Sequence, residues 1–397
     1  MINRISSFHN YQSVQNDLRR QESKVHHNQA QLASGKKLVD PSDDPMATHY
    51  IQNIGQQSEQ LKQYVESIVM SRNRLEHHEV IVANAESFID EGKRTVMEMI
   101  NGSLSPEDRM AKQREIEELF NNLFTLANTQ DESGNYIFAG TKTKIQPFFR
   151  DKADNVSYSG DDYQRKMRVA SGLEMAINDP GSKMFMEISN PFGDYNPNYK
   201  LQEGSELLLE RATNLDASDD ASYKVTFVDM PEGKYGYQLE RNGSVVKADE
   251  YDPSQGIQYK DMSLLVKGKI SKGDVIELEP QKTFDMFDSL KRARDLSEGS
   301  VSDASNSAEL HQVTRELHAA FIHLNKARSD IGARLSTLDT QEQQHEDFRM
   351  TLAKSKSTFE DLDYASAVIE FNENTRALQA SQQAFGKAKD LTLFNYI

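Results

Sequence analysis

The 397-residue chain contains no cysteine. Disulfides, thiolate nucleophiles and cysteine-based zinc sites are therefore excluded together. Long apolar runs are also missing: mean hydropathy is -0.71 and nothing approaches the length of a membrane span. Residues 1–10 lack the apolar stretch of a general secretory signal peptide, so none is expected. Positive charge is short, 46 Lys and Arg against 62 Asp and Glu, and a net charge of -16 argues against nucleic-acid binding by bulk electrostatics. Residues 1–39 are the exception, with six basic side chains against Asp17 and Glu22. Proline is scarce outside 141–284, which holds seven of the ten prolines and 11 of the 20 glycines. Long helices are predicted on either side of that stretch and not within it.

What is present is heptad spacing. Ile54, Leu61, Ile68, Leu75, Val82, Ile89 and Val96 return every seven residues between Pro45 and Asn101. The companion row, Ile51, Ser58, Val65, Arg72, Glu79, Glu86, Lys93 and Ile100, is polar in its middle, so a narrow apolar stripe is predicted. Such a helix needs a long partner. Leu310, Leu317, Leu324, Ile331, Leu338, His345, Leu352 and Phe359 supply one, with Val313, Ala320, Ala327, Phe348 and Leu362 in its second row. Gly332 within that helix predicts close backbone packing or a local bend. Tyr11, Val14, Leu18, Gln21, Val25, Asn28 and Leu32 form a weaker seam near the N-terminus, matched by Phe371, Leu378 and Phe385 near the other end. Asp44 reads as the N-cap of the long helix with Pro45 in its first turn, and Ser105-Pro106-Glu107-Asp108 starts a further helix with a core face at Ile116, Leu119, Phe120, Leu123, Phe124 and Ala127.

Between 141 and 284, strands are predicted at 224–228, 235–240, 245–248, 263–266 and 275–278, with Asn242-Gly243 as a hairpin turn. The stretches 190–198 and 216–220 read as exposed polar loops. The fold class is α+β: a long antiparallel helical coiled-coil rod formed by both chain ends, with an inserted all-β domain. Its segments are 1–40 plus 365–397 as a terminal coiled coil for assembly, 41–140 plus 285–364 as a helical rod, and 141–284 as the β insertion.

No phosphate-binding loop, dinucleotide glycine pattern or nucleophile elbow occurs. The pairs His26-His27 and His77-His78 lack metal spacing on one helix face and read as solvent-facing; the carboxylates of 40–44 read as caps, and those of 161–162 and 219–220 as turn residues. No catalytic residue, metal ligand or cofactor is expected. The expected working surface is an assembly interface at Ile5, Phe8, Val14, Leu18, Val25, Leu32, Leu378, Phe385, Leu391, Phe394 and Ile397.

Three groups of residues resemble the flagellin family, in the version found at the flagellar hook–filament junction. They are Gln31-Leu32-Ala33-Ser34-Gly35-Lys36-Lys37 with Asp40-Pro41-Ser42-Asp43-Asp44-Pro45; Leu126-Ala127-Asn128 with Gly134-Asn135-Tyr136-Ile137-Phe138-Ala139-Gly140-Thr141-Lys142-Thr143 and Pro147-Phe148; and Ala327-Arg328-Ser329-Asp330-Ile331-Gly332-Ala333-Arg334-Leu335 with Leu378-Gln379-Ala380-Ser381 and residues 391–397. The resemblance implies a structural, non-enzymatic subunit of the bacterial flagellum. It would form a homo-oligomeric ring at the end of the hook and join hook to filament through a sister hook-associated junction protein. It would be extracellular, exported by the flagellar type III route without a cleaved signal, and accompanied by an export chaperone on its C-terminal helix; neither nucleic acid nor membrane insertion is expected. A filament-forming flagellin, or a surface binding or adhesin module carried by the β domain, remains the alternative.

Overall fold

A computed structural model describes residues 2–100, 104–216, 218–230, 235–299 and 303–390, with backbone alone at 2–8, 10, 11 and 388–390. The elements in chain order are α1 (Ile2–Ser34), α2 (Pro45–Ile100), α3 (Pro106–Ala127), β1 (Phe148–Arg150), β2 (Val156–Tyr158), β3 (Lys166–Ala170), β4 (Leu173–Ala176), a π-helical turn (Ser182–Met186), β5 (Ile188–Ser189), β6 (Tyr195–Lys200), β7 (Leu208–Asn214), β8 (Tyr223–Asp229), β9 (Tyr235–Arg241), β10 (Ser244–Glu250), β11 (Ile257–Tyr259), β12 (Met262–Lys267), β13 (Val275–Pro280), β14 (Thr283–Phe284), α4 (Met286–Leu296), α5 (Ala304–Glu360) and α6 (Tyr364–Asp390). Contacts divide the chain into two compact units, 1–66 with 340–397, and 67–339.

In the first unit Asp44 accepts the N–H groups of Met46 and Ala47, both at 3.0 Å, and so caps α2 as predicted. Ile54, Leu61 and Leu352 form a small buried cluster with Tyr64 against it. Tyr64 stacks on His345 at 5.5 Å and Tyr50 meets Phe359 at 4.8 Å, which sets the two helices antiparallel here. Phe359 and Phe348, predicted for the seam, are instead 40% and 48% exposed. A narrow two-helix contact covers only one side of such large rings.

In the second unit the predicted rows interlock. Ile68, Leu75, Val82, Ile89 and Val96 of α2, and Leu310, Leu317, Leu324, Ile331 and Leu338 of α5, are all fully buried. Arg328 reaches Glu79 and Glu86 at 2.7 and 2.8 Å, and Arg72 reaches Asp339 at 2.9 Å, so the pair is antiparallel. The stripe on α2 is wider than predicted. Ser71, His78, Ala85, Gly92 and Met99 form a second buried row at the same spacing of seven, because α2 here is covered from more than one side. This overturns the solvent-facing reading of His78, which is fully buried. The close packing considered for Gly332 is not found: a Cβ there would meet nothing within 4 Å, and the residue lines an open groove of about 670 Å³. α3 begins with a reciprocal capping box between Ser105 and Asp108 and buries Ile116, Leu119, Phe120, Leu123 and Ala127, as its spacing predicts.

All strand pairs among the described residues are antiparallel, in five sheets, the largest ordered β10-β9-β8-β13-β6. The predicted strands are β8, β9, β10, β12 and β13, and the Asn242-Gly243 turn takes φ of 48° and 77° as a tight hairpin requires. Two cores divide the β region. Phe138, Phe148, Val169, Met184 and Phe185 join the helices' core, whereas Tyr199, Val225, Phe227, Leu239, Leu264 and Ile276 belong to a second. Arg315 of α5 ties the second to the helix. Its guanidinium lies 4.2 Å from the Phe192 ring centroid and donates to the carbonyls of Leu209, Pro191 and Glu210. The stretch 190–198 is therefore no exposed loop: Phe192 and Tyr195 are buried and its last four residues are part of β6.

Candidate assembly interface

α1 and α6 lie side by side in the first unit, and a short clip fixes their register. α1 gives way at Gly35, whose φ of 71° turns the chain into a bridge between Lys36 and Asp361. The Lys37 N–H donates to the Glu360 carbonyl at 2.8 Å and the Leu362 N–H to the Gly35 carbonyl at 3.0 Å. Lys36 and Glu360 pair at 2.6 Å, and the bond between them raises the ammonium's pKa and lowers the carboxyl's. At the far side of the seam the Gln21 amide donates to Asn374 Oδ1 at 3.4 Å. The helices are thus antiparallel, and this register sets Leu18 level with Leu378 and Val25 level with Phe371.

The six predicted interface residues with described side chains, Val14, Leu18, Val25, Leu32, Leu378 and Phe385, are each half-buried. Asn28, polar in the same row, is buried with its amide nitrogen unpartnered. Ile5 and Phe8 lie on α1, where only their backbone is described, and Leu391, Phe394 and Ile397 lie outside the described residues. A second apolar set escaped the heptad reading: on α6, Tyr364, Val368 and Ile369 are 55%, 45% and 60% exposed. Tyr364 extends the row of Phe371, Leu378 and Phe385 by one heptad, whereas Val368 and Ile369 fall off it, so only their apolar character could have marked those two. The chain leaves a half-covered seam and an uncovered apolar face on the same helix, and one further helix laid along α6 could cover both.

The turn before α2 brings His27, Asp40 and Asp43 within 4.8 Å of one another. Asp43 Oδ2 accepts the N–H groups of Val39 and Asp40 at 3.0 and 2.9 Å, and the Asp40 bond foremost holds this carboxyl below its usual pKa. Its visible role is to shape the turn. In the second core Asp219 is similarly committed. It takes Arg241, the Tyr223 hydroxyl, the Asn214 amide and the Ala221 N–H, and Arg241 above all holds it down to about 2. A carboxylate so saturated is a poor general acid or base at neutral pH. No described helix is long and apolar enough to cross a membrane.

Comparison with known proteins agrees with this geometry. The bacterial flagellin N-terminal helical region matches residues 5–143 and the flagellin C-terminal helical region matches 315–397, together more than half of the chain and on either side of the β region. The chain is 32% identical to flagellar hook-associated protein 3 of Escherichia coli (strain K12) over 160 residues, 40% of this chain and 50% of that protein. It thus spans about half the length of the curated relatives it matches. A crystal structure of flagellar hook-associated protein 3 from Legionella pneumophila superposes with a TM-score of 0.68 at 25% identity, covering 78% of this chain and 98% of that one. The Xanthomonas campestris FlgL structure gives 0.64 at 25% identity, covering 76% and 98%. Long helices toward both ends of the chain with an antiparallel β region between them in sequence fit these matches, and the chain belongs to the flagellin family.

Proposed function

We propose that this chain is a structural subunit of the bacterial flagellum that forms a homo-oligomeric ring at the hook–filament junction. It joins the hook to the filament through a sister hook-associated junction protein and acts by assembly, without catalysis. The observation that carries the reading is the α1–α6 seam, half-exposed along its length and continued on α6 by the exposed side chains of Tyr364, Val368 and Ile369. Neighbouring subunits would cover it. In this division of labour 1–40 plus 365–397 is the assembly domain, 41–140 plus 285–364 its helical support and 141–284 the outward β domain. The similarity to hook-associated protein 3 supports the location. The same exposed α6 calls for cover during export, so a chaperone on the C-terminal helix and extracellular delivery without a cleaved signal belong to this reading.

Antibody raised to residues 141–284 is expected to decorate one narrow zone between hook and filament on intact cells. Decoration along the whole filament would make the chain a filament subunit. Decoration away from the flagellum would favour a surface binding module.

A further inference from the structure

His78 of α2 is fully buried, and neither ring nitrogen has a hydrogen-bond partner. Buried imidazoles without a partner are uncommon, since each polar atom left bare costs stability. Its ring stands edge-on to Phe138, centroids 5.0 Å apart, and its Nε2 lies 3.9 Å from Asp179 Oδ2. Asp179 sits in the linker between β4 and the π-helical turn and is already spoken for. Arg334 of α5 donates to both its oxygens, at 3.0 and 2.8 Å, and the Gln164 amide donates at 2.8 Å. A cavity of about 230 Å³ lined by Gln164, Asp179, Lys183, His323, Lys326 and Arg334 adjoins the pair.

We propose that His78 is an acid-sensitive latch. Neutral, it leaves Asp179 to Arg334 and so lets the linker dock on α5; protonated, it competes for the same carboxylate and frees residues 164–184 from the helices. The charges around it oppose protonation. Arg334 faces it from α5 and Arg165 from the segment before β3, with His77 beside it on α2, while Asp179 alone favours the cation. Arg74 of α2 presses further on Arg165, and Asp131 after α3 answers both of those arginines. Burial, first among these causes, depresses the His78 pKa to about 4. The unfolded chain, with an ordinary imidazole, takes up the proton first as pH falls. Stability is therefore full above about 6.5, is lost progressively between about 6.5 and about 4, and is lost no further below that. Asp285 works in the opposite direction, its carboxyl raised to about 6 by burial, so the latch is read only by difference.

The test compares melting of the full-length wild type with His78→Phe and His78→Leu at pH 7.5 and pH 4.5. The wild type is expected to lose roughly 5 °C more than either variant over that interval. Hydrogen exchange, corrected for its intrinsic pH dependence, is expected to quicken at 164–184 in the wild type alone. Parallel losses in wild type and variants would overturn the latch. Should neither variant fold, the wild type labelled at histidine decides by NMR: a His78 signal that titrates below pH 5 supports the proposal, and one that titrates near 6.5 refutes it.

Discussion

Leu378→Asp is expected to abolish incorporation of the protein into the flagellum while leaving the melting transition of residues 67–339 unchanged. Leu378 stands level with Leu18 across the α1–α6 seam, is half-buried in the single chain, and belongs to the unit formed by 1–66 and 340–397. Full burial of a leucine contributes on the order of 1.5–3 kcal/mol, and covering the part of Leu378 still open contributes roughly half of that. A carboxylate in its place forfeits that gain, and burying it unpaired costs several kcal/mol more. In a ring the penalty recurs at every subunit, so a modest cost per seam becomes failure to assemble. Phe385→Asp, two turns further along the same row, is expected to behave alike. Motility, immunoblots of sheared flagella and calorimetry of the purified variants check this. Normal incorporation, or loss of the transition of 67–339, would contradict it. α1 and α6 are further expected to gain full protection from hydrogen exchange only against neighbours; strong protection along both helices in the free subunit would sink that part.

Phe185→Ala is expected to destabilise the second unit by about 3–5 kcal/mol. Phe185 is fully buried at the point where the β region meets the helices. Its ring centroid lies 4.9 Å from that of Phe138, 5.6 Å from Phe148 and 5.9 Å from Phe287, so one side chain joins the π-helical turn to β1, α4 and the loop before them. Truncation removes a whole buried ring from that junction and leaves a cavity that three other rings, fixed on separate elements, cannot collapse to fill. A fall in the melting temperature of about 10 °C follows for a unit of this size. Phe149→Ala, one residue beyond Phe148 on the exposed face of β1, is the control and is expected to change stability by no more than about 0.5 kcal/mol. A loss below about 1 kcal/mol for Phe185→Ala in urea titration would contradict the packing described.

The helical pairing was legible because burial along α2 and α5 follows the heptad that the aliphatic residues mark, and an aliphatic residue at every seventh position returns to one face of a continuous helix. The second buried row of α2 was not. Ser71, His78 and Ala85 are small or polar, and periodicity of hydrophobicity is blind to a polar residue covered by another element. The same blindness hid 190–198, where asparagines and prolines surround Phe192 and Tyr195; the Tyr195 hydroxyl accepts from the Asn214 amide, a long-range bond that no local pattern announces. Strands β8, β9 and β10 were legible through alternation and the Asn242-Gly243 turn, whereas β5 and β14, two residues each, carry no pattern long enough to read. For the interface, spacing identified which residues of α1 and α6 share a face, but the clip that sets their register rests on backbone bonds between residues more than 300 apart, Lys37 with Glu360 and Leu362 with Gly35, which no local pattern announces. Gly332 shows the limit of residue type alone: glycine in a helix suggested close approach, and the space beside it is open. The flagellar reading itself came from motifs, since heptads alone specify pairing helices and no location.

The most direct test of a place at the hook–filament junction is removal of the gene, with electron microscopy of the cell surface and assay of the medium for unassembled flagellin. Hooks without filaments, together with flagellin shed into the medium, are the predicted result, restored to normal by the wild-type gene and not by Leu378→Asp. Full-length filaments on cells lacking the protein would contradict that place.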